Sequence, residues 1–447
     1  MNSLAKICTR MVSRWLPDPL VIAIALTGLA LVSAVLVGGV SPIDAVDYWG
    51  TGFWDLLSFT MQMTVILLAG YMLAKAPPVD KCLDWLVSRV SRPRAAIILI
   101  TLVGGIGSWL NWGFGLVAGS VVAKKAAARI ENLHYPLAIA AGFSGFSVYG
   151  IGLSGSVPLL LATPGHFLEA ETGLIPISNT IFNPFVLGMS AVAIFGLPIF
   201  NALMHSAKDA EVHSYSPPVT ERVDELESLG TPAKNTKTFG EKMNDSPVWG
   251  IAIGALGIVS SMVYFIRGGT LNLDAVNFIF IMLGLLFFAR PSRYLKALNE
   301  AIGSVAGIIV QYPFYAGIMA ILVGSGLIVT FSNLFVGVST AETLPLWSFI
   351  SGGLTNILVP SGGGQFVVQG PVMIAAAQEL GADFAATAVA VQIGDQWTNM
   401  IQPFWIIPAL AISGLKLRDV MGYMVLIAAF LGLVFGVGVL AWGIAAA

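Results

Sequence analysis

Apolar runs, each long enough to cross a bilayer, follow one another along this chain with hardly a charge inside them. A spanning helix takes about 20 predominantly apolar residues. Runs of that kind lie near 18–40, 52–75, 135–163, 181–205, 247–267, 273–290, 300–323, 384–413 and 419–445. With about nine full spans the chain is expected to be an all-α polytopic membrane protein, because in hydrocarbon a helix satisfies its own backbone polar groups. Composition agrees. Of 447 residues, 56% are hydrophobic and 10% charged, against about 25% charged in a soluble domain. Too few charges remain to coat a water-facing surface, so lipid is the expected solvent and an interacting partner. The first run, from about Leu20, is longer than the apolar core of a secretory leader, and no small-residue cleavage site follows it. It reads as a retained helix.

Two further apolar stretches, near 95–128 and 345–378, are each roughly 34 residues long and interrupted at the middle. The first breaks at Asn111-Trp112-Gly113-Phe114-Gly115 and the second at Pro360-Ser361-Gly362-Gly363-Gly364-Gln365. One straight helix would tolerate neither break, and two full spans would be too short. A re-entrant helical hairpin with its tip at membrane depth fits both.

Charge placement tests this layout. With the N-terminus (Lys6, Arg10, Arg14) in the cytoplasm and each hairpin returning to its own side, the segments 75–94, 124–134, 206–246, 290–299 and 414–418 fall inside. Together with the N-terminus they hold 21 of the 22 Lys and Arg residues, leaving Arg267 outside, which is the bias of the positive-inside rule. Five crossings separate the hairpins, an odd number, so the first enters from the cytoplasm and the second from outside. A hydrophilic connector at 206–246, with Pro217-Pro218, divides the chain into an N-terminal membrane repeat (1–205) and a C-terminal one (247–447). An offset of 245 residues pairs Gly107 with Gly352, Asn111 with Asn356, Gly119 with Gly364 and Pro158 with Pro403. After each hairpin comes an interrupted apolar segment. The interruptions are Ser154-Gly155-Ser156-Val157-Pro158 within 135–163 and Thr398-Asn399-Met400-Ile401-Gln402-Pro403 within 384–413. Inverted repeats whose discontinuous helices meet at the midplane are the pattern of secondary transporters.

No Lys or Arg falls inside an expected span. An anionic substrate would therefore be held by backbone N–H groups at half-helix N-termini and by neutral side chains. The tips and breaks supply Asn111, Ser154, Ser156, Asn356, Ser361, Thr398 and Asn399, with the glycines Gly362 and Gly363 beside them. Their carbonyls and side-chain oxygens could also ligate sodium, with Asn111, Asn356 and Ser361 as candidates. The competing reading is that Ser, Thr and Gly only let helices approach closely. Asp395 is the one acid expected well inside a span, which marks it as an ion-coupling candidate. A sodium ion at Asn111, Asn356 and Asp395 and a proton on Asp395 are both open; no other cofactor is implied. Trp112 and Trp397 flank a tip and a break and could wall a short acyl chain. His166, in a loop, has no assigned role. Net charge of −2 gives no reason to expect nucleic acid, and Cys8 and Cys82 make neither a disulfide framework nor a metal cluster.

On these residues the sequence resembles the short-chain fatty acid transporter family, bacterial inner-membrane carriers of short-chain carboxylates such as acetoacetate and butyrate. The resemblance runs almost end to end. It includes Arg14-Trp15-Leu16-Pro17-Asp18-Pro19, Asn111 to Gly115, Ser154-Gly155-Ser156 with Ala162-Thr163-Pro164-Gly165, and Gln311-Tyr312-Pro313-Phe314-Tyr315-Ala316-Gly317. The second half adds Pro360 to Gly364, Gln369-Gly370-Pro371 and Gln396-Trp397-Thr398-Asn399-Met400. The resemblance implies an ion-coupled anion carrier of inverted repeats with opposed hairpins, a scaffold and a moving transport domain, a homodimer, and an elevator-type cycle. It implies no enzyme. A symporter of short-chain monocarboxylates driven by Na+ or H+ is the expected function. The alternatives are a carrier of another carboxylate, such as a dicarboxylate, and a passive anion channel. An intramembrane aspartyl protease would need a second embedded carboxylate facing Asp395. No Walker-type GxxxxGK[ST] motif is present, so this chain alone is not expected to be ATP-driven.

Overall fold

The computed structural model describes residues 19–205, 238–357, 359–402 and 405–447. Lys6, Arg10, Arg14, most of the connector and Pro403 lie outside them. The described residues form helices, with no strand among them. In the first half these are α1 (Pro19–Leu36), α2 (Pro42–Gly52), α3 (Leu57–Ala74), α4 (Pro77–Ser88), α5 (Pro93–Leu110) and α6 (Trp112–Arg129). There follow α7 (Tyr135–Ser144), a 3-10 segment (Gly145–Ile151), α8 (Ser156–Leu161) and α9 (Pro184–Leu203). The second half has α10 (Pro247–Ile266), α11 (Leu273–Phe288), α12 (Pro291–Ala301), α13 (Ala306–Gly324) and α14 (Leu327–Val336). It ends with α15 (Leu344–Thr355), α16 (Gly362–Leu380), α17 (Phe384–Thr398), α18 (Ile407–Ser413) and α19 (Leu417–Ala446). Proline stands in the first turn of α2, α4, α5, α9, α10 and α12, where its missing N–H would be unpaired in any case.

Among the described residues, seven helices are long and apolar enough to cross a membrane. Six fall on expected spans, and the seventh, α5, is the first arm of the first hairpin. The expected spans at 18–40 and 273–290 are shorter apolar helices of 18 and 16 residues, and 384–413 is divided between α17 and α18. The sequence reading did not anticipate α2, α4, α12 or α14. Of these, α2 carries two acids, α4 and α12 alternate charged and apolar faces, and α14 has 10 residues, too few to span.

Contacts between distant segments sort the helix ends into two sets. On one side Lys75 pairs with Glu300 at 3.1 Å, and Lys125 with Asp80 and Asp84 at 2.8 and 2.7 Å. On the same side Ser292 Oγ donates to Asp245 at 2.5 Å, the His134 amide donates to the His205 ring at 3.3 Å, and Tyr135 donates to the Ser413 carbonyl at 3.2 Å. Every one of these residues lies in or beside a segment that charge placement assigns to the cytoplasm. On the other side Gln62 donates to Asp274 at 2.7 Å, and the Leu273 amide to Thr163 Oγ1 at 3.2 Å.

Burial runs from the periphery inward. The apolar stretch containing α10 is left largely uncovered by the rest of the protein, whereas α7, the 3-10 segment and α8 are almost wholly buried. A helix apolar all round and covered by protein belongs at the centre of a bundle, and this one carries the polar residues that follow.

Candidate functional site

The first tip is made by one residue. The Asn111 amide donates to the Gly107 carbonyl at 2.8 Å, closing α5, while its side-chain Oδ1 accepts from the Phe114 amide at 3.0 Å, opening α6. An asparagine in this extended conformation is a strong N-cap. The arms then lie nearly backbone to backbone: a Cβ added at Gly115 would meet Ser108 N at 2.0 Å, and one at Gly107 would reach Gly115 Cα at 3.0 Å. The tip is wedged against α3 through Asn111 Nδ2, which donates to the Ile66 carbonyl at 3.3 Å. It is held to the first broken helix by the Trp112 amide, which donates to Ser154 Oγ at 2.9 Å.

The second tip divides the same work. Asn356 closes α15, and Ser361 opens α16, its Oγ accepting from the Gly364 amide at 3.4 Å. The offset of 245 therefore matches the ends of the first arms, but the counterpart of Asn111 as N-cap is Ser361. Four residues of sequence separate Asn356 from Ser361, where the first tip has none between closing and opening cap. Its arms are joined by side chains: Gln365 Nε2 donates to the Gly352 carbonyl and Gln369 Nε2 to Ser351 Oγ, both at 2.8 Å. α15 itself packs chiefly along α17, where a Cβ on Gly394 would fall 2.1 Å from the Phe349 carbonyl oxygen.

The two broken helices cross at Asp395. Its Oδ2 accepts from the Tyr149 hydroxyl, from Gln392 Nε2 at 3.4 Å and from Asn399 Nδ2 at 3.3 Å. Its Oδ1, equally buried, has no hydrogen-bond partner among the described residues. Asn356 Nδ2 reaches the Asp395 carbonyl, Thr398 Oγ1 and Asn399 Oδ1 at 3.0, 2.9 and 2.8 Å. The Gly150 amide donates to Gln396 Oε1 at 2.9 Å. The second tip lies directly on this crossing. A Cβ on Gly362 would come within 2.5 Å of both the Tyr149 hydroxyl and Gln392 Nε2, and one on Gly363 within 2.9 Å of the Tyr312 hydroxyl. Tyr312 is itself 2.8 Å from Ser361 Oγ. Side chains at these two glycines would displace the tip, which accounts for the glycine run chemically.

The structure thus gathers the sequence candidates into two neighbouring groups. Asn111, Trp112 and Ser154 form one. Asn356, Thr398, Asn399 and Asp395 form the other, covered by Ser361, Gly362 and Gly363. Tyr149 joins them: its ring is 6.2 Å from Trp112 and its hydroxyl is on Asp395. Ser156 begins α8 and is buried, but among the described residues no hydrogen bond ties it to either group. Trp397 is stacked on Phe349 at 4.8 Å and donates to the Ala428 carbonyl, a packing role. His166 bonds within its own loop, to Leu168 and Gly173, and burial lowers its pKa. Sequence reading missed Tyr149, Gln392, Phe146 and Trp405. Gln392 stands one helical turn before Asp395, a spacing that was available. Nothing local marks the others, because they reach the site through the crossing of distant segments.

A buried crossing of two interrupted helices, capped by a hairpin tip, is the kind of arrangement that multi-pass membrane transporters use. The chain is similar to the Alcanivorax borkumensis YdaH transporter, with a TM-score of 0.61 and 16% identity over 95% of this chain and 98% of that one. It is similar also to Neisseria gonorrhoeae MtrF, described with a class of antimetabolite efflux pumps, with a TM-score of 0.63 and 14% identity over 98% and 97%. Residues 1–441 match the model of the short chain fatty acid transporter family. A protein of Escherichia coli (strain K12) named "Putative short-chain fatty acid transporter" is 41% identical over 440 residues, 98% of this chain and 99% of that protein. A Haemophilus influenzae relative of the same name is 38% identical over 446 residues, 98% and 99% of the two chains. The chain belongs to the short-chain fatty acid transporter family, a family of transporters and not of enzymes.

Proposed function

We propose that the protein is a secondary active symporter that carries a short-chain monocarboxylate, such as butyrate or acetoacetate, with Na+ or H+ through the crossing at Asp395. The observation that carries this reading is the one-sided bonding of a fully buried carboxylate. Three donors converge on Oδ2 while Oδ1 is left bare. The sequence holds no Lys or Arg between Lys296 and Lys416, or between Arg129 and Lys208, to neutralise it. A buried charge without a counter-ion costs several kcal/mol. A proton on Oδ1 or a sodium ion beside it removes that cost, and either would be the coupling ion.

Buried polar atoms left over around the crossing are of two kinds. Asn356 Oδ1 and Gln392 Oε1 are unpartnered oxygens like Asp395 Oδ1, and oxygen is what a hard cation takes. Trp112 Nε1 and Gln396 Nε2 are unpartnered donors, suited to a carboxylate that must be held without a cation. Leaving each unpaired costs about 1–3 kcal/mol, so both ligands recover energy by binding. Among the described residues Asp395 is the only buried acid, which leaves a protease without its second carboxylate.

On this reading the hairpins enter from opposite faces and the cycle is elevator-type alternating access by a homodimer. The protein lies in the bacterial inner membrane with its N-terminus in the cytoplasm. Linked binding tests it: butyrate should raise the melting temperature of purified protein far more in sodium, or at low pH, than in choline at high pH. Butyrate stabilisation that is identical in all of these media would contradict ion coupling, and a passive anion channel would then be favoured.

A further inference from the structure

Four aromatic rings from three segments of the chain meet beside the crossing. Trp112 comes from the first tip and Phe146 and Tyr149 from the 3-10 segment; Trp405 follows the second break. Phe146 and Tyr149 stack at 4.5 Å with their planes 6° apart. Trp405 meets Trp112 edge-on at 5.7 Å and Phe146 at 5.6 Å. The ring of contacts closes through Trp112 and Tyr149 at 6.2 Å. All four side chains are buried. The box is attached to the polar groups at two corners: the Tyr149 hydroxyl bonds Asp395, and the Trp112 amide bonds Ser154.

We propose that this aromatic box is the chain-length gauge of the carrier, the wall against which the acyl tail of the carboxylate stops. The proposal rests on the reading of the crossing as the carboxylate site. With the head held at the crossing, the tail has two kinds of boundary: the glycine tip, which leaves no room for a Cβ, and the box. Aromatic rings are rigid and fixed by two side-chain angles, so they set a length limit that a flexible aliphatic wall would not. Phe146 is the part of the wall that can be changed without touching a hydrogen bond of the site, since it carries no polar atom. Trp405 supplies the adjoining face.

The test is uptake of labelled butyrate, hexanoate and octanoate into proteoliposomes by wild type, Phe146→Leu, Phe146→Ala and Trp405→Leu. Wild type should favour butyrate. Shortening Phe146 or Trp405 should raise the hexanoate-to-butyrate ratio, about fourfold for each methylene newly admitted, which corresponds to the burial of about 0.8 kcal/mol per CH2. The milder Phe146→Leu keeps the experiment decisive should the alanine variant fail to fold. A ratio that stays at the wild-type value in the folded variants, with uptake retained or uniformly lowered, overturns the gauge while leaving the carboxylate site intact. Wild type that carries none of the three acids overturns the reading on which the gauge rests.

Discussion

Replacing Asn356 with alanine separates a pin from a ligand. Its amide nitrogen, fully buried, serves the Asp395 carbonyl, Thr398 Oγ1 and Asn399 Oδ1, tying the end of α15 to the break in the second half. Two of those acceptors survive truncation, because the Asp395 carbonyl also accepts from the Asn399 amide at 3.1 Å and Thr398 keeps its own bond to the Gly353 carbonyl at 2.9 Å. Asn399 Oδ1 is the one orphaned. A stranded buried acceptor costs about 1–3 kcal/mol and the lost bond to Thr398 about 1 kcal/mol more, so the variant should be less stable by about 2–4 kcal/mol. Asn356→Asp keeps the shape but turns the donor into a further oxygen facing three oxygens, and should cost more than alanine. The assay is the melting temperature of detergent-purified protein with sodium and with choline. Both variants should melt lower than wild type, and sodium should stabilise the alanine variant less, since Asn356 Oδ1 is one of the free oxygens at the crossing. An alanine variant that melts, responds to sodium and transports as wild type does would refute the role given to Asn356.

Other perturbations discriminate as sharply. Asp395→Asn keeps an acceptor for Tyr149, Gln392 and Asn399, so it should fold and still exchange butyrate for butyrate while losing accumulation against a gradient; wild-type accumulation would contradict the coupling role. At Gly145, an alanine Cβ would stand 2.2 Å from backbone atoms of Gly104 and Gly105. Overpacking of that kind costs about 1–3 kcal/mol, and an unchanged melting temperature in Gly145→Ala would deny that hairpin and broken helix are locked there. At the water-facing end, burial pulls the Lys125 pKa down from 10.5 but its bonds to Asp80 and Asp84 outweigh that and raise it. A raised lysine stabilises the fold below its ordinary pKa and loses that contribution as pH climbs through the higher folded value. Lys125→Met should therefore cost under about 1 kcal/mol at neutral pH, because its partners are largely exposed. The difference from wild type should vanish in strongly alkaline medium; a large penalty, or one that persists there, would place the role of Lys125 elsewhere.

The parts of the site that lie on one stretch of chain can be read from sequence. Asn111 announces a reversal because an asparagine followed by alternating glycines can cap one helix and start another with the arms in contact. Asp395 stands out because a carboxylate inside an apolar run is expensive. The division of the second cap between Asn356 and Ser361 is harder, since a short insertion shifts the register within an otherwise constant offset. Tyr149, Phe146 and Trp405 are not legible at all. An aromatic residue in an apolar run looks like ordinary packing until the crossing of two segments, about 250 residues apart, brings it against a carboxylate. The peripheral helices α2, α4, α12 and α14 escape for the opposite reason: being too short or too polar to span, they leave no signal in a search for apolar runs.

Ion-driven accumulation of a short carboxylate is the central claim, and uptake of labelled butyrate into sealed proteoliposomes under a sodium gradient, and then under a proton gradient, tests it most directly. Under one of the two, butyrate should rise above its external concentration and leak back when the gradient is collapsed. Equilibration at the same rate with and without either gradient would contradict coupled transport and leave a passive pathway through the same fold.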